Sequence, residues 1–191
     1  GNILEITEKL EEHCINLNSM IAMKYVTPFK TQVQEKLNQL NDVIETIERW
    51  LKVQTLWTNL VQVFTGGDIA KAMPAETKKF KGINLQWLKI MERAKEQKNV
   101  VQCCNNDILR TSLNSLQEGL EFCQRKLEDY LGRKRGVFPR FYFCSNSDLL
   151  KILSVGSDPS AVQEDFEKLF DAISKVVFDE ENPKEIIAIT Q

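Results

Sequence analysis

The 191 residues contain one histidine, His13. Any Ser–His or Cys–His catalysis would have to recruit it, and its place on a charged helical turn reads as a solvated surface position instead. Neither GxxxxGK[ST] nor GxGxxG occurs, so the glycine-rich cradles for phosphate are missing. No Cys/His spacing suits zinc. No apolar run approaches the length that crosses a bilayer. The acidic opening GNILEITEKLEEH lacks the n-region and h-region of a signal peptide. A basic excess is absent too: 25 Lys and Arg stand against 27 Asp and Glu, which disfavours a general binder of nucleic acid or anionic membrane. The five cysteines, Cys14, Cys103, Cys104, Cys123 and Cys144, are odd in number and irregular in spacing. Reduced thiols in a cytosolic protein are expected. Cys103–Cys104 could be a vicinal redox pair; small apolar residues near a helix start is the plainer reading. There is no internal repeat and no low-complexity segment. The opening Gly1 suggests a piece of a longer chain.

What the chain does have is apolar periodicity. Hydrophobic residues make up 42% and charged residues 27%, enough for one domain, or two small ones, with a real core. Ile3, Ile6, Leu10, Cys14 and Leu17 step by three and four, predicting a helix over 3–22. TPF at 27–29 reads as the next helix start, with Thr27 as cap and Pro28 at the first helical position. From Phe29 to Thr65 the pattern is unbroken. Val33, Leu37, Leu40, Ile44, Ile47 and Leu51 form one stripe; Val43, Trp50, Trp57 and Phe64 form a second. Two stripes require two neighbours, so this helix should lie between others in an antiparallel bundle. Gly66–Gly67 should end it, with Asp68 capping a short successor. Pro74 starts a helix carrying Phe80, Trp87, Leu88, Met91 and Ala94, which Gly82 could kink or divide. Residues 95–107 read as a connection. Leu109, Leu113, Leu116, Leu120, Cys123, Leu127 and Tyr130 then predict a helix to about Lys134, with Gly136 as terminator. Trp50, Trp57, Phe64 and Trp87 are expected as core anchors rather than as a ligand box.

Shorter signals close the chain. SNSD at 145–148 has the form of a capping box, Ser145 the cap and Asp148 the third helical position, opening a helix through Leu153. SDP at 157–159 predicts another helix, capped by Asp158, that buries Val162, Phe166, Leu169, Phe170 and Ile173. KVVF and IIAI, on either side of an Asn-Pro turn, predict a β-hairpin that the end of the sequence cuts short.

Between the last long helix and the capping box lies RKRGVFPRFYFC, residues 133–144. Arg125, Lys126, Arg133, Lys134, Arg135 and Arg140 could bind phosphates or an acidic filament surface. Cations also favour a helix C-terminus, where the backbone dipole is negative, and that accounts for Arg133 to Arg135 without any ligand. Arg140, between Pro139 and Phe141, should be pinned by aromatic stacking or by a carboxylate. If the segment is extended, Phe138, Phe141, Tyr142 and Phe143 alternate sides. The stretch therefore reads as a joint where the chain crosses to the next packing layer. Its candidate docking and structural residues are Arg135, Phe138, Pro139, Arg140, Phe141, Tyr142, Phe143, Ser145 and Asn146. No catalytic, cofactor or metal residue is assigned.

WLKVQTLWTNLVQVF (50–64), DIAKAMPAETKKF (68–80) and the Trp87, Ile90 and Met91 positions resemble the first half of the linker region of dynein heavy chains. LEDYLGRKRGVFPRFYFCSNSDLLKIL (127–153), followed by DPSAVQEDFEKLFDAI (158–173), is similar to its second half. The likeness covers most of residues 28–180, with both blocks in order, and SNSDLLKILS sides with axonemal forms. Gly132 stands where a polar helix former is usual, and Met73 where leucine is usual before Pro74.

The expected fold is all-α: an elongated bundle of long antiparallel helices, with short helices and a small β-hairpin at the C-terminal end. The expected organisation is one fragment, with the long-helix bundle over 1–135, the FPRFYF joint and short helices over 136–175, and the truncated hairpin over 176–191. The resemblance implies a mechanical role rather than an enzymatic one. In dyneins the linker lies across the AAA+ ring, bends and straightens with the nucleotide cycle, and moves the tail. Its partners would be that ring and the remaining linker and tail of the same heavy chain. Microtubules would be reached only through distant parts, and neither nucleic acid nor membrane would be bound. ATP and Mg would belong to the ring, with no cofactor in this fragment. The implied location is the cytoplasmic cytoskeleton, in the axoneme of a cilium or flagellum. Hinge candidates are 65–74 and 95–107. A free-standing helical scaffold or adaptor is the alternative, and a thiol enzyme using Cys103 or Cys104 the third reading.

Overall fold

The computed structural model describes residues 3–154, 161–179, 182 and 185–190. The α-helices are α1 (Ile3–Ile21), α2 (Lys30–Thr65), α3 (Gly67–Ala72), α4 (Pro74–Glu96), α5 (Val100–Cys104), α6 (Asp107–Val137) and α7 (Asn146–Ser154). An antiparallel hairpin, β1 (Lys175–Phe178) with β2 (Ile186–Thr190), follows. The helical fold with a small C-terminal hairpin is as expected. α2 alone has 36 residues, which at 1.5 Å per residue is about 54 Å.

Several local expectations are corrected. The chain is already in a 3₁₀ helix over Lys24–Phe29, with Pro28 inside it, and α2 begins at Lys30. Thr27 is not an accepting cap: its hydroxyl donates to the Lys24 carbonyl at 3.4 Å. Asp68 lies inside α3, whose N-cap is Gly66. Gly82 and Gly136 interrupt nothing, since α4 and α6 run through them. An isolated glycine costs a helix only about 1 kcal/mol, which the surrounding apolar face outweighs. The 95–107 connection contains α5, capped by the Asn99 side chain accepting from the Gln102 N–H at 3.1 Å. Residues 163–168 form a 3₁₀ helix rather than an α-helix. The SDP signal at 157–159 and Pro183 of the Asn-Pro turn lie outside the described residues.

The chain divides into two compact units. The first comprises Gly1–Thr55 and Leu85–Glu118. Leu10 and Cys14 of α1, Leu37, Leu40 and Val43 of α2 and Cys104 of α5 form its buried cluster. Each leucine buried there contributes about 1.5–3 kcal/mol. Thr46 is buried but satisfied, its hydroxyl donating to the Asp42 carbonyl at 2.7 Å. Trp87 is fully buried. Trp50 is half-buried, with its indole N–H 3.4 Å from Met91 Sδ.

The second unit comprises Leu56–Asn84 and Gly119–Gln191. Phe64 and Phe80 are buried and stacked, with ring centroids 5.3 Å apart. Half-buried Trp57 donates its indole N–H to Asn84 Oδ1 at 2.8 Å. At Gly119 a Cβ would lie 2.8 Å from Ile83 Cδ1, so α6 approaches α4 more closely than a side chain allows. α3 packs on α7, and its first residue, Gly67, has φ +82 beside the Ser154 carbonyl. In the hairpin, Lys175 pairs with Thr190 and Val176 with Ile189, and the register shifts between Val177 and Phe178. The Val176 N–H is held on its other side by Gln163 Oε1 at 3.2 Å.

Candidate docking joint

The joint lies within the second unit. The helical hydrogen bonds of α6 continue to Phe138, whose N–H donates to the Lys134 carbonyl at 3.0 Å. There Pro139 acts on its predecessor. A residue before proline is pushed out of the helical region, and Phe138 is extended at φ −128, ψ 94. The fixed φ of Pro139 then seeds a new turn. Pro139–Phe143 is consequently a 3₁₀ helix, not the extended crossing that alternating aromatics suggested. The Phe141 N–H returns to the Phe138 carbonyl at 3.0 Å, and the Cys144 N–H to Phe141 at 3.3 Å.

Two arginines fasten this turn. Arg135, in the last turn of α6, donates through Nε to the Phe141 carbonyl at 3.2 Å and through Nη2 to the Cys144 carbonyl at 3.1 Å. Arg140 donates through Nη1 to the Leu169 carbonyl at 3.0 Å, and its guanidinium carbon lies 4.7 Å from the Phe170 ring centroid. Of the two means of pinning Arg140 that its sequence context suggested, the aromatic one is observed, together with a carbonyl. Phe138 sits edge-on to Phe141 at 4.9 Å and tilted to Phe170 at 6.5 Å. Beneath them Leu131, Cys144, Leu149, Ile152 and Leu169 form a buried cluster, with Phe141 packed against it.

The capping box closes the joint. Ser145 Oγ accepts the Asp148 N–H at 3.1 Å and donates to Asp148 Oδ2 at 2.6 Å. Asn146, exposed, is the first residue of α7. Lys168 bonds Asp148 and lies 3.0 Å from the fully buried Asp165, which Lys151 approaches at 3.4 Å. The hydrogen bonds from Lys168 and then Ser145 hold the Asp148 carboxyl below its usual range. Those same carboxylates, Asp148 first, raise the Lys168 ammonium.

The predicted residues thus separate by role. Arg135, Arg140 and half-buried Phe141 work inside the joint, while Tyr142 and Phe143 are 68% and 77% exposed. Of the expected core anchors, Phe64 and Trp87 are buried and Trp50 and Trp57 half-buried, each within its helix. Sequence reasoning missed the carboxylate at the centre, Asp165; its spacing of three from Lys168 is the signal that could have found it. Burial raises all five thiols, with Cys104 pushed up to about 11. Among the described residues no group of three or more His, Cys, Asp or Glu could hold a metal ion. The arrangement is structural: it holds the end of α6 to the following turn and to Leu169 through hydrogen bonds from Arg135 and Arg140.

The model of the family described as "Dynein heavy chain, N-terminal region 2" matches residues 1–191. Human "Dynein axonemal heavy chain 8" is 41% identical over 186 residues, covering 97% of this chain and 4% of that protein. Mouse "Dynein axonemal heavy chain 5" is 41% identical over 187 residues, with coverage of 97% and 4%. "Dynein gamma chain, flagellar outer arm" of Chlamydomonas reinhardtii is 42% identical over 177 residues, with coverage of 92% and 4%. The chain thus spans about 4% of the length of these relatives. It belongs to the dynein heavy chain N-terminal region 2 family.

Proposed function

We propose that the chain is a non-catalytic segment of the linker of an axonemal-type dynein heavy chain, passing nucleotide-driven changes of the AAA+ ring on to the tail. The observation that carries this reading is the double arginine fastening of the joint. A lever transmits displacement only if the ends of its helices do not swivel. Arg135 removes that freedom at α6 by holding two carbonyls of the following turn, and Arg140 fixes the same turn to Leu169. ATP and Mg belong to the ring, and microtubules are met by other parts of the motor. The axonemal and flagellar names of the relatives support a place in the cilium or flagellum. Coverage of nearly all of this chain by a small part of each relative favours a segment over a free-standing adaptor.

The test is Arg140→Glu in the complete motor, with folding, ATP hydrolysis and microtubule gliding measured side by side. Slower gliding with hydrolysis retained is expected. Intact folding together with unchanged gliding would end the linker reading of this joint.

A further inference from the structure

The first unit holds a cavity of about 330 Å³, walled by the start of α1, the middle of α2, the end of α4 and α5. Ile6, Ile47, Leu51, Met91 and Val100 are among its lining residues, so the walls are largely apolar. Small-molecule sites have this make-up: apolar cavities of roughly 300–1,000 Å³ with a few polar groups that fix orientation. Two donors play that part here. Among the described residues of the lining, Lys98 is the only charged one. It is exposed and forms no ion pair with another described residue. Trp50 lines the same cavity, and its indole N–H lies 3.4 Å from Met91 Sδ. A thioether is a weak acceptor, so this donor is poorly satisfied by the protein itself.

We infer that this cavity binds a free medium-chain fatty acid, with the alkyl chain between α1, α2 and α4 and the carboxylate at Lys98. The charge fits: one unpaired ammonium on an otherwise uncharged lining calls for one anionic head on an apolar body. A carboxylate is also a better acceptor for an indole N–H than sulfur is. The size fits as well. Taken as a compact space the cavity is about 7 Å across, narrower than the roughly 10 Å of an α-helix with its side chains. A single alkyl chain enters where a helix does not. Because Lys98 is exposed, its ion pair orients the ligand and selects the head group, while burial of the chain supplies most of the affinity.

The experiment uses the complete heavy chain and a decanoic acid carrying a diazirine near its chain end, irradiated and mapped by peptide mass spectrometry. Labelled peptides are expected from 3–6, 47–54 or 91–104, the segments that wall the cavity. Unlabelled acids should block this labelling at concentrations that fall about fourfold per added methylene from hexanoate to decanoate. Lys98→Met should raise the blocking concentration of decanoate about threefold and leave that of decanol unchanged. No labelling of these segments would show that another part of the complete chain fills the cavity, and overturns the inference. Labelling that free acid does not compete for is unspecific partition, and a decanoate response indifferent to Lys98→Met denies the carboxylate its partner; either overturns it too. The cavity belongs to the first unit and the arginine-fastened joint to the second, so neither result bears on the Arg140→Glu test.

Discussion

Arg135 and Cys144 are nine residues apart in sequence and joined by a 3.1 Å hydrogen bond from a guanidinium to a main-chain carbonyl. With the Phe141 carbonyl at 3.2 Å, one side chain closes the whole turn between two helices. Hydrogen bonds from a charged donor contribute about 1.5–3 kcal/mol each, less where water competes. Arg135→Met should therefore lower stability by about 2 kcal/mol and speed amide exchange over 138–144. Arg135→Lys should recover little, since an ammonium lacks the planar fork that reaches two acceptors. Thermal unfolding with hydrogen exchange decides it: a full recovery by lysine would show that charge, not geometry, holds the turn.

The long helices were legible because burial repeats every three to four residues, and Leu113, Leu116, Leu120, Cys123 and Leu127 are all buried as their spacing implies. The capping box was legible because Ser145 and Asp148 satisfy each other locally. The joint was legible in place but not in form. Alternating aromatics suggested an extended crossing, whereas Pro139 starts a turn whose carbonyls are claimed by Arg135, six and nine residues away. Periodicity also says nothing about whether a partner is present. Leu88 and Met91 keep the apolar step of α4 yet are 48% and 38% exposed. Asp165 was legible only in its spacing of three from Lys168; its burial and the approach of Lys151 from α7 depend on packing that spacing does not reveal.

Two glycines should respond differently to the same change. At Gly67, φ is +82, a left-handed conformation that costs other residues about 1–2 kcal/mol. Gly67→Ala should lose about that much stability, and Gly67→Asn less. Gly119 is helical, so Gly119→Ala gains about 1 kcal/mol of helix propensity. Its Cβ, however, would press Ile83 Cδ1 from 2.8 Å. The two effects should nearly cancel for alanine. Gly119→Val, with more to place, should destabilise by about 2 kcal/mol. Urea midpoints of the four variants measure this, and a well-tolerated Gly119→Val would refute the close approach of α6 to α4.

The Cys104 thiol is pushed up to about 11, first by burial and then by neighbouring Cys103, with Arg110 opposing. At pH 8 such a group is only about 0.1% thiolate. Iodoacetamide should therefore modify Cys104 in the folded chain at least about tenfold more slowly than in urea. The sign for stability follows. A folded-state value raised above 9.0 contributes stability that is complete below pH 9 and is lost as the pH rises through about 11. Wild type should thus lose stability faster than Cys104→Ala between pH 9 and 11. Parallel loss in the two proteins would show that this thiol does not carry the effect.

Asp165 is fully buried, and its carboxylate is balanced by Lys168 at 3.0 Å and Lys151 at 3.4 Å, whose side chains are 43% and 51% exposed. The pair is asymmetric. Removing an ammonium strands a buried negative charge, whereas removing the carboxylate leaves two lysines that can turn to water. Lys168→Met should therefore lower the urea midpoint more than Asp165→Asn does. The double variant should be more stable than Lys168→Met alone, an ordering that independent surface residues would not produce. Acid adds a second check. The Asp148 carboxyl is held below 3.8 by Lys168 and Ser145, so its stabilisation is present above pH 3.8 and is lost as the pH falls through the lower folded-state value. The advantage of wild type over Lys168→Met should accordingly shrink below pH 3.8. An advantage that instead persists into stronger acid would assign the effect to the packing of the lysine stem rather than to its charge.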